Sequence, residues 1–193
     1  MIYDITQELF SCRVFPDDPK PVYERVLSTE KGDVCNLTKF SMCAHNGTHV
    51  DAPYHFISDG KTIDQVDLDS FVGDCYVGTV NGDVSSDDAK ALLSAAVKAG
   101  AAERIIIKGD AVVTKEAAEV FAESGILLLG NESQTVGPMD DPAPIHLILL
   151  GKGIVLLEGI DLSKVPEGKY FLSAAPINLG GADGAPCRAY LIG

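Results

Sequence analysis

Ser86-Asp87-Asp88-Ala89-Lys90-Ala91-Leu92-Leu93-Ser94-Ala95-Ala96-Val97-Lys98-Ala99-Gly100 is followed shortly by Arg104-Ile105-Ile106-Ile107-Lys108. The first segment reads as a helix, with a hydroxyl residue to cap it, acids in its first turn, an Ala/Leu-rich body and a glycine behind Ala99. The second is a short apolar run and reads as a buried strand. The unit repeats: Thr114 caps Lys115 to Glu123, Gly125 stops the helix, and Ile126 to Leu129 follows as another strand. Two helix-strand units in succession predict locally parallel sheet and an α/β fold.

Working outward, the loop Asn131 to Pro144 leads into a short helix expected from about Ile145 to Leu150. Ile154 to Leu157, Tyr170 to Ala174 and Arg188 to Ile192 then read as strands. On the N-terminal side, Ile2 to Thr6 and Val22 to Thr29 are rich in β-formers. Between them, Phe15-Pro16-Asp17-Asp18-Pro19-Lys20-Pro21 carries prolines that forbid regular structure and predict an ordered loop or flap. Val34 to Met42 reads as a strand that delivers the following residues to a surface or cleft. With no internal repeat and no low-complexity linker, residues 1–193 read as one domain. A chain of this length buries well over half of its unfolded surface, so it needs no disulfide or metal merely to fold.

Composition excludes several functions. The net charge is −13, from 15 Lys and Arg against 28 Asp and Glu. That balance repels a phosphate backbone, and no Lys/Arg cluster reverses it locally, so no nucleic-acid partner is expected. The longest apolar runs, such as Gly125 to Gly130, are too short to span a bilayer, and Met1 to Ile5 lacks a secretion signal. No membrane partner is expected, and the cytoplasm is the expected location. The 5 cysteines, at positions 12, 35, 43, 75 and 187, form no CxxC pair, as suits reduced thiols rather than a disulfide framework.

Of the 4 histidines in the chain, His45, His49 and His55 fall within His45-Asn46-Gly47-Thr48-His49-Val50-Asp51-Ala52-Pro53-Tyr54-His55. Imidazole and carboxylate are favoured ligands of first-row metals, and His45, His49 and Asp51 would offer two nitrogens and an oxygen to one cation. Gly47, Thr48, Val50 and Pro53 argue against a helix here. In an extended strand His45 and His49 would stand roughly 13 Å apart. The chain must therefore bend between them, and Gly47 is the residue able to take positive φ. His49 and Asp51, two apart, share one side of an extended stretch. His146 is the remaining histidine, and Glu158 ends an apolar strand just before Gly159, a usual place for ligands in open α/β sheets.

The string HxGTHxDxPxH at His45 to His55 resembles the cyclase-like family of metal-dependent hydrolases, which includes bacterial kynurenine formamidase and isatin hydrolase. Tyr3-Asp4-Ile5-Thr6 is similar to the family's opening, and Phe15-Pro16-Asp17-Asp18-Pro19 to its aromatic-Pro-Gly-Asp segment. His146 through Glu158-Gly159-Ile160-Asp161-Leu162, and Pro176 to Ala189, resemble its C-terminal half. The resemblance implies a swivelling β/β/α domain with a mixed sheet, usually assembled as dimers or tetramers. It implies one or two divalent cations per chain, Zn or Mn. His45, His49 and Asp51 would hold the first, and Asp51, His146 and Glu158 the second. His55 would be the proton-transfer residue, off the metals, with Glu158 also catalytic.

Such a site suits hydrolysis of a small-molecule formyl amide, cyclic amide or imide, or lactone through water activated by the metal. Phe15 and Gln134 are the candidate substrate contacts, with Thr135 beside Gln134, although ordinary loop hydrogen bonding is the favoured reading of Gln134 and Thr135. Phe15 stands where the family's formamidases usually carry Trp, Asp17 replaces the usual Gly, and Gly130 to Pro138 departs from their Asp-Thr-Pro-Ser type. Two other readings are open. A non-catalytic metal-binding or assembly protein would bind metal without turnover, and a thiolate enzyme using Cys43 and His45 would resist chelation but not alkylation.

Overall fold

The computed structural model describes residues 1–193. The first quarter holds β1 (Ile2–Asp4), β2 (Val22–Leu27), β3 (Leu37–Ser41) and β4 (His49–Asp51). The middle runs β5 (Val72–Thr79), β6 (Gly82–Val84), α1 (Ser86–Ala99), β7 (Arg104–Lys108), β8 (Ala111–Val113) and α2 (Lys115–Ala122). It continues with β9 (Leu128–Asn131), α3 (Ala143–Leu150) and β10 (Val155–Glu158). Strands β11 (Gly168–Ser173), β12 (Gly184–Pro186) and β13 (Tyr190–Ile192) finish the chain.

One 9-stranded sheet organises these elements in the order β1-β13-β11-β5-β7-β9-β10-β4-β12. Its centre, β5-β7-β9-β10, is parallel, and α1, α2 and α3 return the chain between those strands as parallel neighbours require. Both flanks are antiparallel: β11, β13 and β1 on one side, β4 and β12 on the other. The sheet is therefore mixed, and the helix-strand units supply its parallel part.

Period-2 alternation divides the core. Ile105, Ile107, Leu129 and Leu156 pack with the helices. Ile106, Leu128, Val155 and Leu157 face the other way, against Val50, Leu172 and Leu191. Glu158 is in phase with Leu156, so it leaves the end of β10 on the helix-bearing side. The helix ends follow their local chemistry. The Ser85 hydroxyl accepts from Asp88 N–H and caps α1, one residue ahead of the expected Ser86, and Gly100 closes the helix at φ 66°.

Several elements differ from the sequence reading. The central strand β5 was hidden by Gly73 and Gly78, which interrupt its apolar pattern. Gly78 lies under Leu92 of α1, and a Cβ on Gly73 would sit 2.6 Å from the Arg104 guanidinium. Both positions thus need the missing side chain for close packing, a tertiary demand invisible to local propensity. Strand β9 starts at Leu128 rather than Ile126, and α3 starts at Ala143, with Pro144 in its first turn where a missing N–H costs nothing. Strand β3 begins at Leu37, not Val34, and pairs only with β2, in a hairpin exposed along nearly its whole length. It leads into the turn ahead of the histidines but stands outside the main sheet.

Candidate metal centre

A tight turn brings the histidine cluster together. Asn46 Oδ1 accepts from Cys43 N–H at 2.8 Å, and Gly47 takes φ 66°. A Cβ on Gly47 would also press on Cys12 Cβ at 3.0 Å. Gln134 Nε2 donates to the Gly47 carbonyl at 3.1 Å, and Thr48 Oγ1 donates to the Gly159 carbonyl at 2.6 Å, tying the turn to the end of β10. The bend leaves the His45 and His49 rings edge to face, 5.1 Å apart. Strand β4 then carries His49 and Asp51 on one face, with His49 Nε2 3.3 Å from Asp51 Oδ1. Its pairing with β10 sets Glu158 opposite His49.

Five groups converge. His45 Nδ1 lies 2.8 Å from Asp51 Oδ1. His49 Nε2 lies 3.4 Å from Glu158 Oε2. His146 Nε2, from α3, is 3.3 Å from Glu158 Oε1 and 3.5 Å from Asp51 Oδ2. The far nitrogens are fixed by acceptors that cannot donate: His49 Nδ1 to the Gly47 carbonyl and His146 Nδ1 to the Pro142 carbonyl, each at 2.9 Å. Each neutral ring therefore carries its hydrogen on Nδ1 and turns the Nε2 lone pair inward, the orientation that metal-binding imidazoles need. Val136 N–H donates to Glu158 Oε1 at 2.8 Å and orients that carboxylate.

Two buried carboxylates this close demand positive charge. Asp51 is 0% exposed and Glu158 2%. Burial pulls the imidazoles down, but their bonds to the carboxylates outweigh it and raise His45 to about 10, His49 to about 9 and His146 to about 10. For Asp51, burial pushes the carboxyl up, yet the nearby His146 and His45 imidazoles hold it well below the usual range. Glu158 is pushed up by burial and by the Asp51 charge, and the His146 and His49 bonds win, leaving it lowered. Without a cation, protons on the imidazoles carry the compensating charge.

The residues fit a divalent ion on one further observation. Asp51 Oδ2 is buried and has no hydrogen-bond partner, an expensive state for a carboxylate oxygen unless a cation or ordered water meets it. One ligand atom each from His49, Asp51 and Glu158 lies within 4.8 Å of the others, as does one each from His45, Asp51 and His55. A cavity of about 270 Å³ is lined by the four histidines and Glu158 together with Phe15, Asp18, Phe56, Gln134, Thr135 and Pro142.

The family model described as "Putative cyclase" matches residues 3–138. The chain belongs to this cyclase family. It is 37% identical over 170 positions to the kynurenine formamidase of Salinibacter ruber, covering 81% of this chain and 79% of that one. A solved structure described as a potential metal-dependent hydrolase with cyclase activity superposes with a TM-score of 0.82 at 29% identity, covering 99% of this chain and 96% of that one. Isatin hydrolase A from Labrenzia aggregata shares the fold, with a TM-score of 0.83 at 21% identity, covering 99% and 93%.

The structure brings the side chains of His45, His49, Asp51, His146 and Glu158 together. His55 ends a 3-10 turn, Pro53–His55, and its ring stacks on His45 at 4.0 Å. Burial lowers His55 below its usual value, so its ring is neutral near pH 7. Phe15 and Gln134 both border the cavity, and the Gln134 amide also donates to the Gly47 carbonyl and accepts from Gln7 Nε2 at 2.9 Å. Its geometry serves the turn. His45 Nε2 bonds Asp183 Oδ2 at 2.9 Å while Nδ1 bonds Asp51 Oδ1 at 2.8 Å.

Asp183, Phe56 and Gln7 were not singled out from the sequence. Phe56 packs against His146 at 4.7 Å and His55 at 4.6 Å. For Asp183 a signal existed: one acid among Gly180-Gly181-Ala182 and Gly184-Ala185-Pro186, small residues that allow close approach. Gly184 indeed lies under His45, where a Cβ would come within 2.7 Å of Cε1.

Proposed function

We propose that this metal-dependent hydrolase of the cyclase family cleaves a small formyl amide, cyclic amide or imide, or lactone, in the cavity beside Phe15 and Phe56. His45, His49 and Asp51 hold one cation, and Asp51, His146 and Glu158 a second. Zn or Mn suits these imidazole and carboxylate donors, which include no thiolate. The observation that carries the reading is the unpartnered Asp51 Oδ2, buried 3.5 Å from His146 Nε2. An aryl formamide is the first substrate to try, given the name of the relatives. Two phenyl rings at the cavity supply an apolar, stacking wall for it.

When bound, a divalent cation makes water nucleophilic near neutral pH and polarises a carbonyl oxygen. The chain does the rest. Phe15 and Phe56 exclude water around the substrate body. His55, neutral near pH 7 and bonded through Nδ1 to Asp183 at 3.2 Å, keeps Nε2 to take a proton from the attacking water and return it to the leaving nitrogen of an amide or imide or the leaving oxygen of a lactone. Glu158 acts alongside, held by Val136 N–H so that its other oxygen points to His49.

Residues 1–193 act as one catalytic unit in this reading, in the cytoplasm and as a homodimer or homotetramer. An exposed hairpin whose Tyr23 and Phe40 gather around Phe10 supports assembly. The test strips metal with a chelator, restores Zn or Mn, and assays a panel of formyl amides, imides and lactones. Turnover that returns with metal is expected. Metal uptake without turnover of any of them would instead favour the non-catalytic scaffold.

A further inference from the structure

His55 and His45 stack as a pair, and one oxygen serves both. Asp183 Oδ2 lies 3.2 Å from His55 Nδ1 and 2.9 Å from His45 Nε2. The acid is delivered by sheet geometry rather than by a loose loop. Ala52 N–H donates to the Asp183 carbonyl at 2.9 Å, and the next residue, Gly184, pairs with Asp51 in the ladder between β12 and β4. Asp183 therefore stands in fixed relation to Asp51, with the His45 ring clamped between the two carboxylates.

We propose that Asp183 is a positioning residue for the reaction, fixing the tautomer and ring orientation of His55 so that its Nε2 faces the substrate. A neutral imidazole can carry its hydrogen on either nitrogen and can flip about its χ2 torsion; only a directed partner selects one state. Asp183 is the hydrogen-bonding partner of His55 in this structure, since its other neighbours are the faces and edges of His45, Phe56 and His146. A carboxylate that only accepts places the hydrogen on Nδ1 and leaves Nε2 as the base. The same oxygen holds Nε2–H of His45, which turns Nδ1 toward Asp51 and the cation cage, so one acid aligns a ligand and the proton-transfer group together. An acid exposed at 42% of its side chain earns no such placement from burial alone.

The inference rests on the hydrolase reading, and its test has an arm that needs no turnover. With 4 histidines in the chain, each imidazole gives a resolvable pair of nitrogen signals in protein labelled with ¹⁵N-histidine. Metal-loaded wild type should show His55 as the Nδ1–H tautomer, with Asp183→Ala showing a mixture. On whichever amide or lactone the enzyme turns over, Asp183→Ala should lower kcat about 100-fold with KM within about twofold, and Asp183→Asn should recover part of that loss. Asp183→Leu, which also removes the acceptor, carries the nitrogen measurement if the alanine variant fails to fold. An unchanged His55 tautomer in a folded variant that lacks the acceptor, or an unchanged kcat in it, overturns the proposal. Absence of any turnover in wild type would count against the hydrolase reading, while the nitrogen spectra would still decide the role of Asp183.

Discussion

Asp51 Oδ2 lies 3.5 Å from His146 Nε2, beyond a good hydrogen bond, and no protein atom closes the gap. Both side chains are buried, so water cannot freely solvate either. A cation held by Asp51 and His146 would supply the partner that the buried oxygen lacks, and binding would add directly to folding stability. At a cation concentration about 100 times its Kd the gain is about 2.7 kcal/mol. For a chain of this size that corresponds to a rise of roughly 5–10 °C in Tm, read by differential scanning calorimetry with and without Zn or Mn. No shift with any divalent ion would contradict a site of this kind.

The metal-free protein should lose stability as pH rises. His45, His49 and His146 stand at about 10, 9 and 10 when folded, above the ordinary value of 6.5. A raised folded value favours the folded state fully below about pH 6.5, and the benefit fades as pH climbs through 9 to 10. Asp183 adds an opposite edge: the His45 bond first, against burial, holds it at about 2, so its contribution is lost as pH falls from 3.8 toward that value. With saturating metal the alkaline loss should vanish, because ligands must be deprotonated to bind. Urea midpoints measured across pH in chelator and in Zn compare the two directly.

Removing the proposed proton carrier should separate chemistry from metal binding. His55→Ala is expected to lower kcat by about 10²- to 10⁴-fold, the usual share of general acid-base catalysis, with metal content unchanged. Loss of metal along with activity would instead make His55 a ligand, consistent with its closeness to His45 and Asp51.

Gly184→Ala tests the close packing beneath His45. The added Cβ would come within 2.7 Å of both His45 Cε1 and the Val50 carbonyl, so ring and strand must shift. We expect metal affinity to fall by about 10-fold or more, as when an outer partner of a ligand is disturbed, with Tm lowered. Isothermal titration with Zn into the metal-free variant measures the first, and wild-type affinity would remove Gly184 from the site.

How much the sequence disclosed depended on how local the signal was. The helices α1 and α2 carry their own caps and stops, and their strands are short apolar runs, so the parallel centre was legible. The histidine turn was legible too, since Gly47 is the residue that allows His45 to approach His49. Strand β5 was not, because Gly73 and Gly78 answer to Arg104 and Leu92, residues distant in the chain. Asp183 was missed for the same reason: its partners His45 and His55 lie 138 and 128 positions away. For Gln134 the sequence favoured ordinary loop hydrogen bonding over substrate contact, and its bonds to Gly47 and Gln7 name the partners that only the folded turn reveals.

Metal analysis by plasma mass spectrometry on purified wild type and Asp51→Asn is the most direct examination of the cage. One or two Zn or Mn ions per wild-type chain, and a large loss in the variant, is the expected result. A wild-type chain that stays empty after supplementation, or a variant that holds as much metal as wild type, would contradict it.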